Sequence, residues 1–214
     1  MNIAEKIDHT LLKPEASEKD IVKLCHEAVN YHFASVCVNP TYVRTAAKLL
    51  HGTSVQTVCV IGFPLGANIT EIKVQEILAA SAHGAREVDV VMNISKVKSG
   101  DWNGVRKDID RIVEVAHDSG QCIKIIIETG LLTEEEKRRA AEIVSDSGAD
   151  FIKTSTGFFG GATVEDVRNL KSWVGSKVKV KASGGIKTRE QAMELIEAGA
   201  DRLGTSSGLV LIEK

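Results

Sequence analysis

The chain alternates eight times between a short apolar segment and a longer helical pattern, and this alternation limits its possible folds more than any other feature. The eight strand candidates read, in chain order, KIDHT, SVCVN, QTVCVIG, EVDVVMN, IKIIIE, DFIKTS, VKVKASG and DRLGTS. Eight β-then-α units in 214 residues predict a (β/α)8 TIM barrel that forms one domain over residues 1–214. A doubly wound open sheet is the alternative, although such sheets more often have about five or six strands.

Signals at the helix boundaries fit the same alternation. Several predicted helices begin with a capping box, in which a Ser or Thr N-cap is followed three residues later by an acid or amide. The four pairs are Ser17 with Asp20, Thr133 with Glu136, Thr163 with Asp166, and Thr188 with Gln191. Three helices are predicted to end at a glycine followed by alanine, at Gly84, Gly148 and Gly199, where glycine supplies a left-handed residue at low cost.

Composition excludes several functional classes. The net charge of -2, without a long run of one sign, offers no electrostatic surface for nucleic acid or a membrane. The first residues lack an apolar leader core and no segment is long enough to span a bilayer, so a cytoplasmic protein is expected. The four cysteines form no CxxC pair and are interpreted as core residues, and the scattered histidines predict no metal site.

Side-chain alternation along the strands separates an apolar face from a mixed one. Successive strand residues point to opposite faces, and a barrel places the apolar face under the helices and the mixed face inside. Asp89, Lys153 and Lys181 fall on the mixed face in the later half of their strands, where barrel active sites lie. Lys124 and Lys179 fall earlier, and we interpret them as structural or supporting residues.

Two lysines and one aspartate that converge inside a barrel suggest amine chemistry. Burial and a neighbouring cation both lower a lysine pKa, and a neutral amine attacks carbonyls to give an imine. On this reading one lysine keeps the other deprotonated and Asp89 moves protons. The alternative is that Asp89 only neutralises a lysine. Two lysines against one acid leave excess positive charge, which an anionic substrate would balance.

A phosphate site is predicted where strands seven and eight end. The exit of strand seven reads ASGGIKTREQ, with Gly184 and Gly185, and the exit of strand eight reads RLGTSSGL, with Gly204, Ser206 and Ser207. Glycines let backbone N–H groups approach an anion, and barrels often bind phosphate between these two loops.

Motifs along the whole chain resemble those of deoxyribose-phosphate aldolases, a family of class I, Schiff-base aldolases. The motifs are IDHTLLKP, VCVIGFPLG, EVDVVMN, IIIETGLL, FIKTSTGF with GGAT, and VKASGGI, and their order and spacing are more specific than any one of them. The resemblance implies a (β/α)8 barrel that reversibly cleaves 2-deoxy-D-ribose 5-phosphate to D-glyceraldehyde 3-phosphate and acetaldehyde, in deoxynucleoside catabolism.

The resemblance also implies roles for individual residues. Lys153 would form the imine, Lys181 would tune it, Asp89 would donate and accept protons, and Asp8 would support that relay. The implied substrate- and phosphate-binding set comprises Thr156, Gly157, Gly184, Gly185, Gly204, Ser206 and Ser207. No metal or organic cofactor would be required, the partners would be small molecules, and a homodimer is common in the family.

Two departures from longer relatives concern the substrate pocket. Phe158 follows Gly157 where some relatives have a lysine near the phosphate, and the chain lacks the C-terminal tyrosine tail of some relatives. Cys37 shares a face with Ser35 and Asn39, so it either lines the pocket or belongs to the core. The alternatives are another phosphate-binding barrel enzyme, such as a sugar-phosphate isomerase or a different Schiff-base aldolase, and a catalytically silent ligand-binding protein.

Overall fold

Eight parallel strands close into a barrel in a computed structural model that describes residues 2–212. The strands follow one another around the barrel in sequence order, and β8 pairs with β1, as predicted for a (β/α)8 barrel. They are β1 (Ile7–Leu11), β2 (Ser35–Val38), β3 (Gln56–Ile61), β4 (Glu87–Val91), β5 (Cys122–Ile126), β6 (Phe151–Lys153), β7 (Lys179–Ser183) and β8 (Arg202–Thr205). This closure rules out the open doubly wound sheet.

Helices occupy the connections and cover the outside of the barrel. They are α1 (Glu18–Asn30), α2 (Val43–Leu50), α3 (Thr70–Ala82), α4 (Ile94–Lys98), α5 (Trp102–Asp118), α6 (Glu134–Ser147), α7 (Val164–Val174), α8 (Arg189–Glu197) and α9 (Gly208–Ile212). Short 3-10 turns lie at Ala4–Lys6, Pro40–Tyr42 and Thr129–Leu131. Within residues 2–212, no helix combines the length and the apolar composition needed to cross a membrane.

The predicted helix boundaries are largely confirmed. Capping boxes close reciprocally at Ser17, Thr133 and Thr188, and Gly84, Gly148 and Gly199 all have a positive φ. The prediction at Thr163 is only half correct. Its hydroxyl accepts a hydrogen bond from the Asp166 backbone, but the Asp166 carboxylate binds Lys137 at 2.6 Å and so does not complete a reciprocal box.

The apolar and mixed faces of the strands separate as the alternation predicts. Val88, Val90, Ile123, Ile125 and Val180 are fully buried in the large cluster between the sheet and the helices. A smaller apolar cluster of Cys37, Val58 and Val60, with Leu12 and Phe63 packed against it, is contributed by β2, β3 and the loops after β1 and β3. The charged interior side chains lie on β1 and on β4 to β8.

Candidate active site

Asp89 is the centre of the charged cluster, because its carboxylate contacts three lysines. Its Oδ2 atom lies 2.7 Å from Nζ of Lys153 and 2.6 Å from Nζ of Lys181, and its Oδ1 atom lies 3.0 Å from Nζ of Lys124. Strand register explains the convergence: Lys153 is directly opposite Lys181, and Asp89 is directly opposite Lys124, on neighbouring strands. The cluster therefore depends on the pairing of β4 with β5 and of β6 with β7.

A second carboxylate, Asp8 on β1, extends the cluster. Its Oδ2 atom lies 2.5 Å from Nζ of Lys181, and its Oδ1 atom accepts hydrogen bonds from Ser35 at 2.6 Å and from Arg202 at 2.5 Å. Lys181 therefore bridges Asp8 and Asp89. Asp8 is therefore connected to Lys153 through Lys181 and Asp89.

Glu87 completes the network near the strand starts. It pairs with Lys124, and Arg202 lies 3.2 Å from its carboxylate. Among the described residues the connected cluster contains four cations, Lys124, Lys153, Lys181 and Arg202, against three carboxylates, Asp8, Glu87 and Asp89. Positive charge is in excess by one when all four cations are protonated, and the charges balance when one lysine is neutral.

The two lysines that share Asp89 have pKa values displaced in opposite directions. Burial lowers the pKa of Lys153, and the Lys181 ammonium lowers it further against the opposing effect of Asp89. Burial would also lower the pKa of Lys181, but Asp8 and Asp89 together raise it above its usual value. Paired groups with divergent pKa values mark acid and base roles in active sites. Lys153 is thus the better candidate for a neutral amine, and Lys181 for a retained ammonium.

The carboxylates remain ionised in this environment. Burial would raise the pKa of Asp89, but Lys124, Lys153 and Lys181 hold it well below the usual value. Asp8 behaves alike, since Lys181 and Arg202 outweigh the effect of burial and lower its pKa. Buried charges of this kind are stable only when paired, and here each carboxylate contacts at least two cations.

Lys153 connects the buried cluster to an open pocket. A cavity of about 420 Å³ lies at the carboxyl ends of the strands, and Lys153 is among its lining residues. All seven residues predicted to bind substrate or phosphate also line it: Thr156, Gly157, Gly184, Gly185, Gly204, Ser206 and Ser207. The structure thus brings the predicted lysine and the predicted anion-binding turns to one pocket.

The glycines of this wall have separate structural reasons. Gly184 and Gly185 have φ values of +85° and +75°, which disfavour any side chain. Gly204 has no such φ, but a Cβ there would lie 2.9 Å from Cβ of Ser183 and 3.1 Å from Cε of Lys181. Gly204 therefore leaves space for the Lys181 side chain, a role that sequence reasoning did not assign to it.

Several residues in or near the site were missed or underestimated from the sequence. Lys13 and Lys187 line the pocket. The motifs that contain them were identified, but neither lysine was predicted to be a site residue. Lys124 was interpreted as a supporting residue, yet it contacts Asp89 directly. Arg202 and Glu87 were not singled out, because single residues at strand starts give no sequence signal for a shared network.

The structure also shows the surroundings of Lys179 and Cys37. Lys179 is exposed at the amino-terminal end of the barrel, 5.5 Å from the Phe151 ring, which fits a structural role. Cys37 is fully buried and is not among the described residues that line the pocket. Burial raises the pKa of its thiol to about 11, so it is a protonated core residue at neutral pH.

Phe158 lies at the pocket. Phe158, the residue that follows Gly157, is 57% exposed at the pocket and packs edge-on against Phe63 at 5.5 Å between ring centroids. Within residues 2–212, no group of three or more His, Cys, Asp or Glu side chains is arranged to hold a metal ion.

Comparison with known proteins gives one consistent family. Residues 3–213 match the family described as DeoC/LacD family aldolase. A deoxyribose-phosphate aldolase of Desulfitobacterium hafniense is 71% identical over 213 residues, which cover 99% of this chain and 98% of that protein. One of Thermococcus gammatolerans is 54% identical over 216 residues, which cover 100% of this chain and 96% of the relative.

Solved structures agree with the sequence comparison. A structure described as "QR15, an Aldolase" superposes with a TM-score of 0.93 at 44% identity and covers 98% of this chain and 93% of its own. A deoxyribose phosphate aldolase from Aeropyrum pernix, described as a unique tetramer, has a TM-score of 0.92 at 34% identity and covers 98% and 88% respectively.

Proposed function

The chain belongs to the DeoC/LacD aldolase family, and from that premise we propose that it is a class I aldolase acting on 2-deoxy-D-ribose 5-phosphate. The products are D-glyceraldehyde 3-phosphate and acetaldehyde, and the reaction is reversible. One observation carries the mechanism: two buried lysines share Oδ2 of Asp89 while the pKa of Lys153 is lowered and that of Lys181 is raised.

The first half of the reaction forms a covalent imine. The neutral amine of Lys153 attacks carbon 1 of the open-chain sugar phosphate to give a carbinolamine. The carbinolamine takes up one proton from the Lys181 ammonium through water and loses water to give a protonated imine, and hydrolysis of the imine later returns that proton. Lys181, held as an ammonium between Asp8 and Asp89, stabilises the neutral form of Lys153 before attack. Lys153 is the lysine of this cluster that lines the open pocket, which favours it over Lys181 and Lys124 as the nucleophile.

The second half breaks the carbon skeleton and releases the products. The protonated imine accepts the electron pair of the C2–C3 bond once the C3 hydroxyl gives up its proton, which frees glyceraldehyde 3-phosphate and leaves an enamine. The Asp89 carboxylate receives that proton through water, and the Asp89–Lys181 pair returns one to carbon 2. Hydrolysis consumes the water released earlier and frees acetaldehyde together with the Lys153 amine.

The pocket wall supports a phosphorylated substrate. The turns at Gly184–Gly185 and Ser206–Ser207 present backbone to the cavity, and Lys13 and Lys187 supply positive charge at its lining. Within the described residues, neither of these two lysines forms an ion pair. Their charges are therefore available to an anion.

Trapping with borohydride tests the imine. Wild-type protein incubated with acetaldehyde and borohydride should acquire one reduced two-carbon adduct on Lys153, measured by peptide mass spectrometry, and Lys153→Ala should neither acquire it nor release acetaldehyde from the sugar phosphate. Lys179→Ala, a change at an exposed lysine of the same barrel, serves as the control. Activity that survives in Lys153→Ala, or that a chelator abolishes, would favour an isomerase or another barrel enzyme.

We also propose a cytoplasmic location, small-molecule partners and an oligomeric state. All four cysteines are free thiols, which fits a reducing cytoplasm, and the net charge of -2 fits small-molecule partners rather than nucleic acid or a membrane surface.

We propose one catalytic domain and a homodimer, supported by exposed apolar side chains at Leu65, Ile69 and Ile72. Sedimentation should give twice the 23.1 kDa chain mass, and a monomer at assay concentration would contradict the dimer.

A further inference from the structure

Glu128, just after β5, has an unusual combination of backbone conformation and burial. Its φ and ψ are 57° and 66°, which makes it one of two non-glycine residues with positive φ within residues 2–212. Its side chain is a carboxylate, yet the residue is only 1% exposed. Left-handed positions usually carry Gly or Asn, and strained backbone of this kind is retained mainly where it serves a functional site.

The carboxylate of Glu128 is used for one specific contact. Both of its oxygens accept a hydrogen bond from the backbone N–H of Thr156, at 3.0 Å and 3.3 Å. Thr156 is three residues beyond Lys153 and lines the pocket. We refer to this contact as the Glu128 clamp, since it fastens the loop after β6 to the end of β5.

The remainder of that loop is held by its neighbours on both sides. The Thr154 N–H binds the carbonyl of Lys181, the Thr154 carbonyl accepts from Thr129, and the Ser155 carbonyl accepts from the Ser183 hydroxyl at 2.5 Å. The Glu128 clamp continues this series to Thr156. It is the contact in which a side-chain carboxyl group accepts a hydrogen bond from the backbone of the loop.

The electrostatic surroundings connect Glu128 to Lys153. Burial raises the pKa of the Glu128 carboxyl, while the bond from Thr156 and the charge of Lys153 oppose that rise. A buried carboxylate without a partner would be costly. The hydrogen bond from Thr156 therefore stabilises the buried Glu128 carboxyl group and the left-handed backbone that holds it there.

We propose that Glu128 is a positioning residue for Lys153, acting through the Glu128 clamp to fix the loop from Thr154 to Gly157 and so the direction from which the lysine amine meets the substrate. The inference rests on the proposed function, because it concerns the same amine. Glu128 itself need not exchange a proton or touch the substrate. Orientation matters at this site, since a displacement of about 1 Å can lower a rate on the order of 100-fold.

Three substitutions separate the clamp from its alternatives. Glu128→Gln keeps an acceptor oxygen of the same reach but removes the charge. Glu128→Asn retains a residue that tolerates the left-handed conformation but shortens the side chain, and Glu128→Ala removes the acceptor altogether. The measurement is the rate of borohydride-trapped adduct formation on Lys153 at saturating acetaldehyde, with melting temperature recorded for each variant.

The three variants should differ in their rates of adduct formation. Glu128→Asn and Glu128→Ala should form the adduct on the order of 10- to 100-fold more slowly than wild type, and Glu128→Gln should remain within about threefold because it still accepts the Thr156 bond. A role confined to stability would lower the melting temperatures without changing the trapping rate of folded protein. Glu128→Asn keeps the test informative if the alanine variant does not fold.

Three different results would contradict the positioning role, the clamp or the imine. Folded Asn and Ala variants with wild-type trapping rates would remove the positioning role. A Gln variant as slow as Ala would show that charge, and not the clamp, is required. Wild-type protein that is never trapped would contradict the imine itself and thereby both proposals.

Discussion

Lys153 and Lys181 bind the same oxygen atom: Oδ2 of Asp89 lies 2.7 Å from one ammonium nitrogen and 2.6 Å from the other. Two cations that share one acceptor repel each other, and the pair is relieved when one of them loses its proton. Asp8 lies 2.5 Å from Lys181, so Lys181 is the lysine that keeps its charge.

Asp89→Asn should abolish turnover and destabilise the barrel. The change leaves Lys124, Lys153 and Lys181 without their common carboxylate, and breaking a buried ion pair costs about 3–5 kcal/mol. Urea unfolding and acetaldehyde release measure the two effects. Asp108→Asn is the matched control, since Asp108 binds the buried Lys73 at 2.7 Å between helices. It should lose stability, while folded protein keeps its activity; equal loss of activity in both variants would contradict a site-specific role of Asp89.

Lys181→Met should shift the pH dependence of imine formation toward alkaline pH. Lys181 lowers the pKa of Lys153, so its removal raises that pKa and leaves less neutral amine at any given pH. The midpoint of adduct formation with acetaldehyde and borohydride, followed against pH, should therefore increase. Lys179→Met, at the exposed end of the same strand, should leave it in place. A midpoint that falls would show that Lys181 favours the ammonium form of Lys153.

Lys13→Gln should weaken binding of the phosphorylated substrate without slowing the chemistry. Lys13 lines the pocket together with the two Gly/Ser turns, and an exposed charge acts on an anion through a screened interaction. KM for deoxyribose 5-phosphate should rise several-fold (roughly 3- to 10-fold for 1 kcal/mol), and the rate with unphosphorylated deoxyribose should stay unchanged. Lys19→Gln, at an exposed site on α1, is the control. Equal effects on both sugars would exclude a phosphate contact.

Gly204→Ala should impair activity more than stability. The added methyl group would lie 2.9 Å from Cβ of Ser183 and 3.1 Å from Cε of Lys181, so the Lys181 side chain must shift within the site. We expect kcat to fall on the order of 10- to 100-fold, measured beside the melting temperature. Gly52→Ala provides the contrast, because Gly52 has a φ of +80° in open space. It should lower the melting temperature and retain kcat, and wild-type kcat in Gly204→Ala would show that Lys181 tolerates the displacement.

Much of this structure could be predicted from the sequence because strands and helices leave periodic signals. Alternation placed Asp89 and Lys153 on the inner face, and the Gly-rich turns predicted the pocket wall. The contacts of Lys124, Arg202 and Glu87 could not be predicted, since they depend on register between strands that are distant in the chain. Gly204 was predicted as part of the phosphate loop, whereas its neighbours in the structure show that it also accommodates Lys181.

The pairing of β1 with β8 has a consequence for the life of the chain before it is complete. Asp8 comes from the first strand and Arg202 from the last, and they meet only when the barrel closes. Lys181 on β7 contacts Asp8 on β1, so it has its full set of carboxylate contacts only in the closed barrel. A chain that ends before β8 should therefore lack the closed network of charges around Lys153.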